Sequence, residues 1–287
     1  MDKPRTEAVS TAEPGLSPAA LADQCIAALP DAEARAAFFD RLITGLLPLD
    51  HRRVFWGNRV LALGKSAGFL DDPGFAAAWQ KIHGSVQYDQ YASPHGVAWR
   101  LHTLVWAARN GLSLDGDFVE CGVFKGDYTW VTTQVIDFAR QQKTFYLYDT
   151  FDGFSPAYSS AAYFPDNPDF FDFVNKTYSD PAIYQEVIRK FGASSNVRIV
   201  RGVLPDSLAD VAPEKIAFMH IDLNSPAAEI GVLELLFDRV VPGGIIVFDD
   251  YGVHLFRRQK EAEDAFMAAR GYGILELPTG QGLVVKR

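Results

Sequence analysis

Cysteine is scarce: Cys25 and Cys121 are the two in a chain of 287 residues. A disulfide framework is therefore not expected. With no recognisable signal-peptide pattern, a reducing, cytoplasmic setting is the expectation. Basic residues are also in deficit, 27 Lys and Arg against 36 Asp and Glu, giving a formal charge of −9 and a pI near 5.1. No basic cluster offers a grip on nucleic acid or an anionic membrane, so a small neutral or cationic molecule is the expected partner. No apolar run is long enough to span a bilayer. Two phosphate-binding signatures are missing as well: the G-x-G-x-x-G dinucleotide fingerprint and the Lys-Ser/Thr of a nucleotide-triphosphate loop. Core-forming residues are not lacking. At 48% hydrophobic, the chain can build one large domain, or one domain with a helical appendage.

Residues 1–17 carry Pro, Ala, Ser, Thr and charge without apolar periodicity and read as a flexible tail. Residues 18–110 read as an N-terminal helical region. Its segments PAALADQCIAAL, AEARAAFFDRLITGLL, RRVFWGNRVLALGKSA and VAWRLHTLVWAARNG are separated by Pro and Gly breaks. From 111 to 287 short apolar runs alternate with amphipathic segments, the pattern of a doubly wound α/β sheet. The expected parallel strands are DFVECGV, TFYLYDTF, NVRIVRG, IAFMHI and IIVF, and GILELPTGQGLVVKR is expected to close as an antiparallel hairpin. The helix before the last parallel strand should stop at Val241-Pro242-Gly243-Gly244. Between Asp152 and Asp180 lies a long aromatic, Pro-rich stretch that reads as a lid.

In an open parallel sheet, residues just past the carboxyl ends of the strands face the binding crevice. Glu120 to Gly126 occupies the first such turn. There Gly122 permits close approach of a ligand and Gly126 a tight turn into the helix, although a glycine pair reads equally well as a plain structural turn. Asp149 ends the second strand, placed to accept both ribose hydroxyls of an adenosine; a loop acid or helix cap is the plain alternative. Asp222 ends the fourth strand, and Asp249 with Asp250 ends the fifth, so three carboxylates should converge. His220, within an apolar strand, reads as a satisfied core histidine.

Glu120-x-Gly-x-x-x-Gly, Asp149 and Asp222 at successive strand ends resemble the class I methyltransferases that bind S-adenosylmethionine. The ordered set DFVECGVFKG, YLYDTFDGF, RGVLPDSL, HIDLN and VPGGIIVFDDYG narrows the resemblance to the macrocin O-methyltransferase family, from about Leu114 to the C-terminus. That resemblance implies a class I methyltransferase Rossmann-like fold, a mostly parallel doubly wound sheet with a C-terminal antiparallel hairpin and N-terminal helices. It implies an S-adenosylmethionine site drawn from Glu120, Gly122, Val123, Gly126, Thr129, Asp149, Thr150, Gly202, Val203 and Asp222. It also implies Mg²⁺ held by Asp222, Asp249 and Asp250, a hard oxygen set suited to that ion. Without a metal, these acids read as a cap and turn, or as cofactor and loop hydrogen-bonding groups. Two departures stand out. Asn224 replaces the family's second acid, and Asp127-Tyr128-Thr129 replaces its small residues.

The expected function is therefore a Mg²⁺-assisted, S-adenosylmethionine-dependent O-methyltransferase acting on a small hydroxylated acceptor, a sugar or glycoside of secondary metabolism. The alternatives are a metal-independent O-methyltransferase acting on a phenol or carboxylate, and a non-catalytic, cofactor-binding regulatory module. Candidates for the base are Asp166, Asp169 and Asp172 in the lid, each of which reads first as a solvated loop acid, and His254 beyond the acid pair, which reads also as a group facing water. Tyr158, Tyr163, Phe164, Phe170, Phe171 and Phe173 form either a sugar-stacking wall or an anchor for the lid. The acceptor, the position methylated and any homo-oligomer are left open.

Overall fold

A computed structural model describes residues 17–46, 54–82, 95–165, 167 and 169–287. The tail read over residues 1–17 lies outside them except for Ser17, and so does Asp166. Helix α1 (Pro18–Ala27) starts where the Ser17 hydroxyl accepts from the Ala20 N–H at 3.2 Å, with Pro at the first helical position, and α2 (Ala32–Leu46) follows.

The next segment departs from its helical expectation. RRVFWGNRVLALGKSA contains a β-hairpin, β1 (Val54–Gly57) paired antiparallel with β2 (Val60–Leu63), with Gly57 opposite Val60. Asn58 and Arg59 between them have φ of 46° and 63°, the left-handed pair that a two-residue hairpin turn demands. Val, Phe and Trp side chains favour this pleated surface over a helix. Helices α3 (Pro73–Ile82) and α4 (Ala98–Gly111) then lead into the sheet.

The central sheet is built from β3 (Asp117–Cys121), β4 (Phe145–Asp149), β5 (Val197–Arg201), β6 (Ile216–Ile221), β7 (Val240–Phe248), β8 (Leu275–Glu276) and β9 (Gly282–Val285). Its order is β5-β4-β3-β6-β7-β9-β8, parallel from β5 to β7 and antiparallel at β7–β9 and β8–β9. The chain winds outward from β3 to β5 and returns to the other side at β6, so the topological switch lies between β3 and β6. That is where an α/β sheet binds its ligand. The crossovers are α5 (Asp127–Val135), then α6 (Asp169–Tyr178) with α7 (Pro181–Phe191), and α8 (Pro226–Leu236); α9 (Arg257–Ala268) leads to the hairpin. Helix α6 lies inside the stretch read as a lid. Helix α8 stops at Leu236, and the Val241–Gly244 run expected to end it is the opening of β7, where the pairing register shifts against β6.

Strand alternation separates two apolar layers. Phe118, Phe145, Phe218, Ile245 and Val247 face α4 and α5, and Phe118 and Phe145 each pack with the other and with Phe138 and Phe218 at centroid distances up to 6.2 Å, each fully buried ring contributing roughly 1.5–3 kcal/mol. Val119, Cys121, Met219, Ile221, Ile246 and Phe248 face α8 and α9.

Between α8 and α9 the wholly buried Glu229 and Glu263 meet, with Gln259 donating to Glu263 at 3.2 Å. Glu229 accepts from the Leu223 and Asn224 N–H groups, both at 3.2 Å, and so fixes the loop after β6. Burial, and then the neighbouring Glu263, hold the Glu229 carboxyl well above its ordinary 4.5; burial raises Glu263 too. The folded protein thus keeps protons here that the unfolded chain releases. Their stabilisation is complete below about pH 4.5 and is lost as pH rises through the folded values. Glu263→Gln, which supplies a permanent donor, is expected to raise the melting temperature at about pH 8 and flatten its decline from about pH 5. Calorimetric melts across that range check this; an unchanged pH slope counts against it.

Candidate active site

The two-residue period of the strands carries one polar residue per strand to the α4 face at the carboxyl end: Glu120 on β3, His220 on β6, and Asp249 just past β7. Glu120 pairs in register with His220, and Asp249 continues β7 through its N–H bond to the Ile221 carbonyl at 2.9 Å. All three are at least 96% buried. His220 Nδ1 lies 3.0 Å from Glu120 Oε1, and Nε2 lies 3.6 Å from Asp249 Oδ1. Glu120 Oε2 also accepts from the Thr129 hydroxyl of α5. Burial would lower the imidazole's proton affinity, but Asp249 and Glu120 reverse this and raise it to about 10. His220 is thus an imidazolium linking two carboxylates rather than a merely satisfied core histidine.

Arg100, in the first turn of α4 and 5% exposed, caps this row. Its Nη1 donates to Asp249 Oδ2 at 2.5 Å and to the Asp249 carbonyl at 3.0 Å, while Nη2 lies 3.0 Å from Asp250 Oδ1. Gln281 of β9's approach adds a donor to Asp249 Oδ1 at 3.1 Å. Burial alone would push the Asp249 carboxyl up; Arg100 and then His220 hold it down at about 2. Asp222 is raised well above the carboxylate range by burial and by repulsion from Asp249 and Asp250, and burial raises Asp250 as well. The Tyr128 phenol, raised by burial and then by Asp249, stays protonated beside these acids.

A cavity of about 220 Å³ opens at the switch point. Its lining runs from the β3 turn (Gly122–Lys125) past Asp149 and Thr150 to Gly202–Leu204, and from Asp222–Ser225 to Arg100, Tyr128, Asp249 and Asp250. Glu120, Gly122, Val123, Asp149, Thr150, Gly202, Val203 and Asp222 of the expected cofactor set line it; Gly126 and Thr129 do not. Gly126 caps α5 with φ of 74°, and a Cβ there would meet the Phe191 ring at 2.7 Å. Phe124 and Asn224, both in the lining, have positive φ (49° and 55°), the kind of backbone strain that collects at functional sites.

Several expected roles change with this geometry. Asp149 Oδ2 accepts from the Val123 and Phe124 N–H groups at 2.7 and 2.8 Å, and Oδ1 from Phe151 N–H at 2.7 Å. Three of its roughly four lone-pair sites are taken by these N–H groups and the Thr150 hydroxyl lies 3.4 Å from Oδ1, which leaves at most one for a ligand rather than the two that a ribose diol would need. Glu120 is turned onto His220 and Thr129. Asp169, Asp172 and His254 are exposed and stand outside the lining. Of the six aromatics read as either a wall or an anchor for the lid, Tyr158 lines the cavity. Phe164, Phe170 and Phe171 instead pack with Phe154 and Phe256, and Phe173 is 66% exposed.

The expected metal triad is not the group that forms. Among the described residues, His220, Asp222 and Asp249 bring ligand atoms within 4.8 Å of one another. Asp250 is bound to Arg100. Asp222 Oδ1 accepts from Asn224 Nδ2 at 3.1 Å. Asp222 keeps one oxygen beside the partnerless Asn224 Oδ1, but the Arg100 guanidinium occupies Asp249 and Asp250 and opposes a dication there, so the set fits Mg²⁺ poorly.

Arg100, Tyr128, Gln281 and the hairpin residue Asn58 were not found by sequence reasoning. Arg100 alone left a trace: it falls on the buried stripe of α4 with Leu104, Ala107 and Gly111, a charge where helical spacing calls for an apolar residue.

Comparison with known proteins agrees with this architecture. A mycinamicin III 3''-O-methyltransferase from Micromonospora griseorubida is 24% identical over 185 residues, 60% of this chain and 72% of that protein. The solved O-methyltransferase NovP superposes with a TM-score of 0.56 at 17% identity, covering 65% of this chain and 79% of that one. CalS11, a calicheamicin methyltransferase, gives 0.50 at 16% identity over 75% and 93%. Both share the fold. The sequence model of macrocin-O-methyltransferase (TylF) matches residues 100–273, from the arginine that caps the acid row to just past α9, and the chain belongs to that O-methyltransferase family.

Proposed function

We propose that the protein transfers a methyl group from S-adenosylmethionine to a hydroxyl of a small natural-product glycoside. The observation that carries this reading is the single cavity joining the Gly122–Asp149 turn to the Asp222–Asp250 end, so that a cofactor and an acceptor share one enclosure. The mycinamicin relative and the family favour a sugar hydroxyl as nucleophile.

The sulfonium donor is already activated, so the protein's tasks are alignment and removal of one proton. The acceptor oxygen forms a bond to the methyl carbon as the carbon–sulfur bond breaks, and S-adenosylhomocysteine leaves. Asp222 and Asp250 line the cavity, and in its ionised form either carboxylate can take the hydroxyl proton. Tyr128 can hold the acceptor oxygen as a donor.

Titration calorimetry with S-adenosylhomocysteine tests the cofactor; no saturable binding by the folded protein sinks it. Asp149→Ala is expected to weaken that binding by roughly 1.5–3 kcal/mol through loss of a charge-assisted bond and a loosened turn. An unchanged dissociation constant would remove Asp149 from the cofactor site.

A further inference from the structure

We propose that Arg100 is the resident cation of this active site, standing where a divalent ion would be needed, and that methyl transfer here proceeds without a metal. The proposal rests on the methyltransferase reading above and specifies how that site balances its charge.

Two of the three carboxylates at the strand ends are already engaged by one guanidinium, Asp249 through Oδ2 and its carbonyl, and Asp250 through Oδ1. The arginine fork is permanently charged, planar and matched to carboxylate oxygens. It is not a surface arm swung into the site. Its helix packs on β7 and α5, flanked by the fully buried Ala98 and Leu101, and its side chain is 6% exposed. A dication binding Asp249 and Asp250 would sit against this guanidinium and be repelled by it. The third expected ligand, Asp222, is bonded to a neutral amide, Asn224, which adds no charge to attract an ion.

Arg100 lines the cavity and its Nε–H has no acceptor. The guanidinium therefore places positive charge beside the acceptor's oxygen, the electrostatic part of what a metal would supply. The fork engages Asp249 and Asp250 but not Asp222, whose carboxylate faces the cavity.

The test uses Mn²⁺ as a paramagnetic probe of the full-length protein, alongside calorimetry with S-adenosylhomocysteine and methylation assays in EDTA. The wild type is expected to show no stoichiometric Mn²⁺ binding up to millimolar concentration, and a methylation rate unchanged by exhaustive chelation. Arg100→Gln, with one cation removed from beside the acids, is expected to bind Mn²⁺ roughly tenfold or more tightly than the wild type and to gain a Mg²⁺-dependent rise in melting temperature. One tight Mn²⁺ site in the wild type overturns the proposal. So does activity abolished by EDTA and restored by Mg²⁺ with S-adenosylhomocysteine affinity intact. If Arg100→Gln does not fold, the wild-type titration decides alone. Failure to bind S-adenosylhomocysteine counts against the cofactor reading, while the Mn²⁺ arm still decides the charge of the site.

Discussion

Asp249→Asn is expected to destabilise the protein by about 3–5 kcal/mol, because it leaves Arg100 and the His220 imidazolium buried with one anion fewer. In a chain of this size, that loss lowers the melting temperature by on the order of 10 °C. Read from sequence, Asp249 stands past a strand end, facing the binding crevice rather than the core. The structure reverses that expectation, since Asp249 is 4% exposed and accepts from both Arg100 and Gln281. A double-mutant cycle gives the sharper readout: Arg100→Met with Asp249→Asn removes both charges and should lose much less than the two single losses added. Additive losses would show that the pair is not coupled. Acid has the same effect as the substitution. Because the folded carboxyl sits at about 2, below its ordinary 3.8, its stabilisation is present above pH 3.8 and fades as pH falls toward about 2.

Gly122→Ala is expected to prevent folding, with a loss beyond about 4 kcal/mol that places it among the severe substitutions. A Cβ at this position would stand 1.9 Å from the Asp222 carbonyl oxygen and 2.7 Å from its carbonyl carbon, and φ is 88°. The glycine is needed because the tips of β3 and β6 touch there, which is a stricter requirement than a ligand's approach. Gly273→Ala, where an added Cβ meets nothing within 4 Å, is the control and should leave solubility and melting unchanged. Soluble, cooperatively melting Gly122→Ala protein would mean that the two strand ends are further apart than described.

Some of this was legible in the chain as written. The five parallel strands, the closing hairpin and the acids at their ends follow from local pattern, because a strand buried on both faces must be a short apolar run and its end must turn polar where it meets water. The hairpin at β1 and β2 was missed because its signal, a two-residue turn at Asn58-Arg59, is weaker than the helical spacing around it. Helix α6 was hidden by the prolines and aromatics about it.

The sequence by itself determined the sheet, its winding, and which residues stand at the strand ends, since these depend on apolar period and on glycine and proline positions close together in the chain. Only the tertiary structure decided what those residues do. Arg100 is 149 positions from Asp249, and Glu120 is 100 from His220. No local periodicity encodes such pairs; they arise when α4 folds onto the sheet and the strands align. Burial then decides their charge: in the same row it leaves Asp222 prone to hold a proton, while Arg100 and His220 keep Asp249 ionised. An aspartate carries no mark of which of these environments it will enter, because the low dielectric and the opposing charges that set it exist only after the chain has packed.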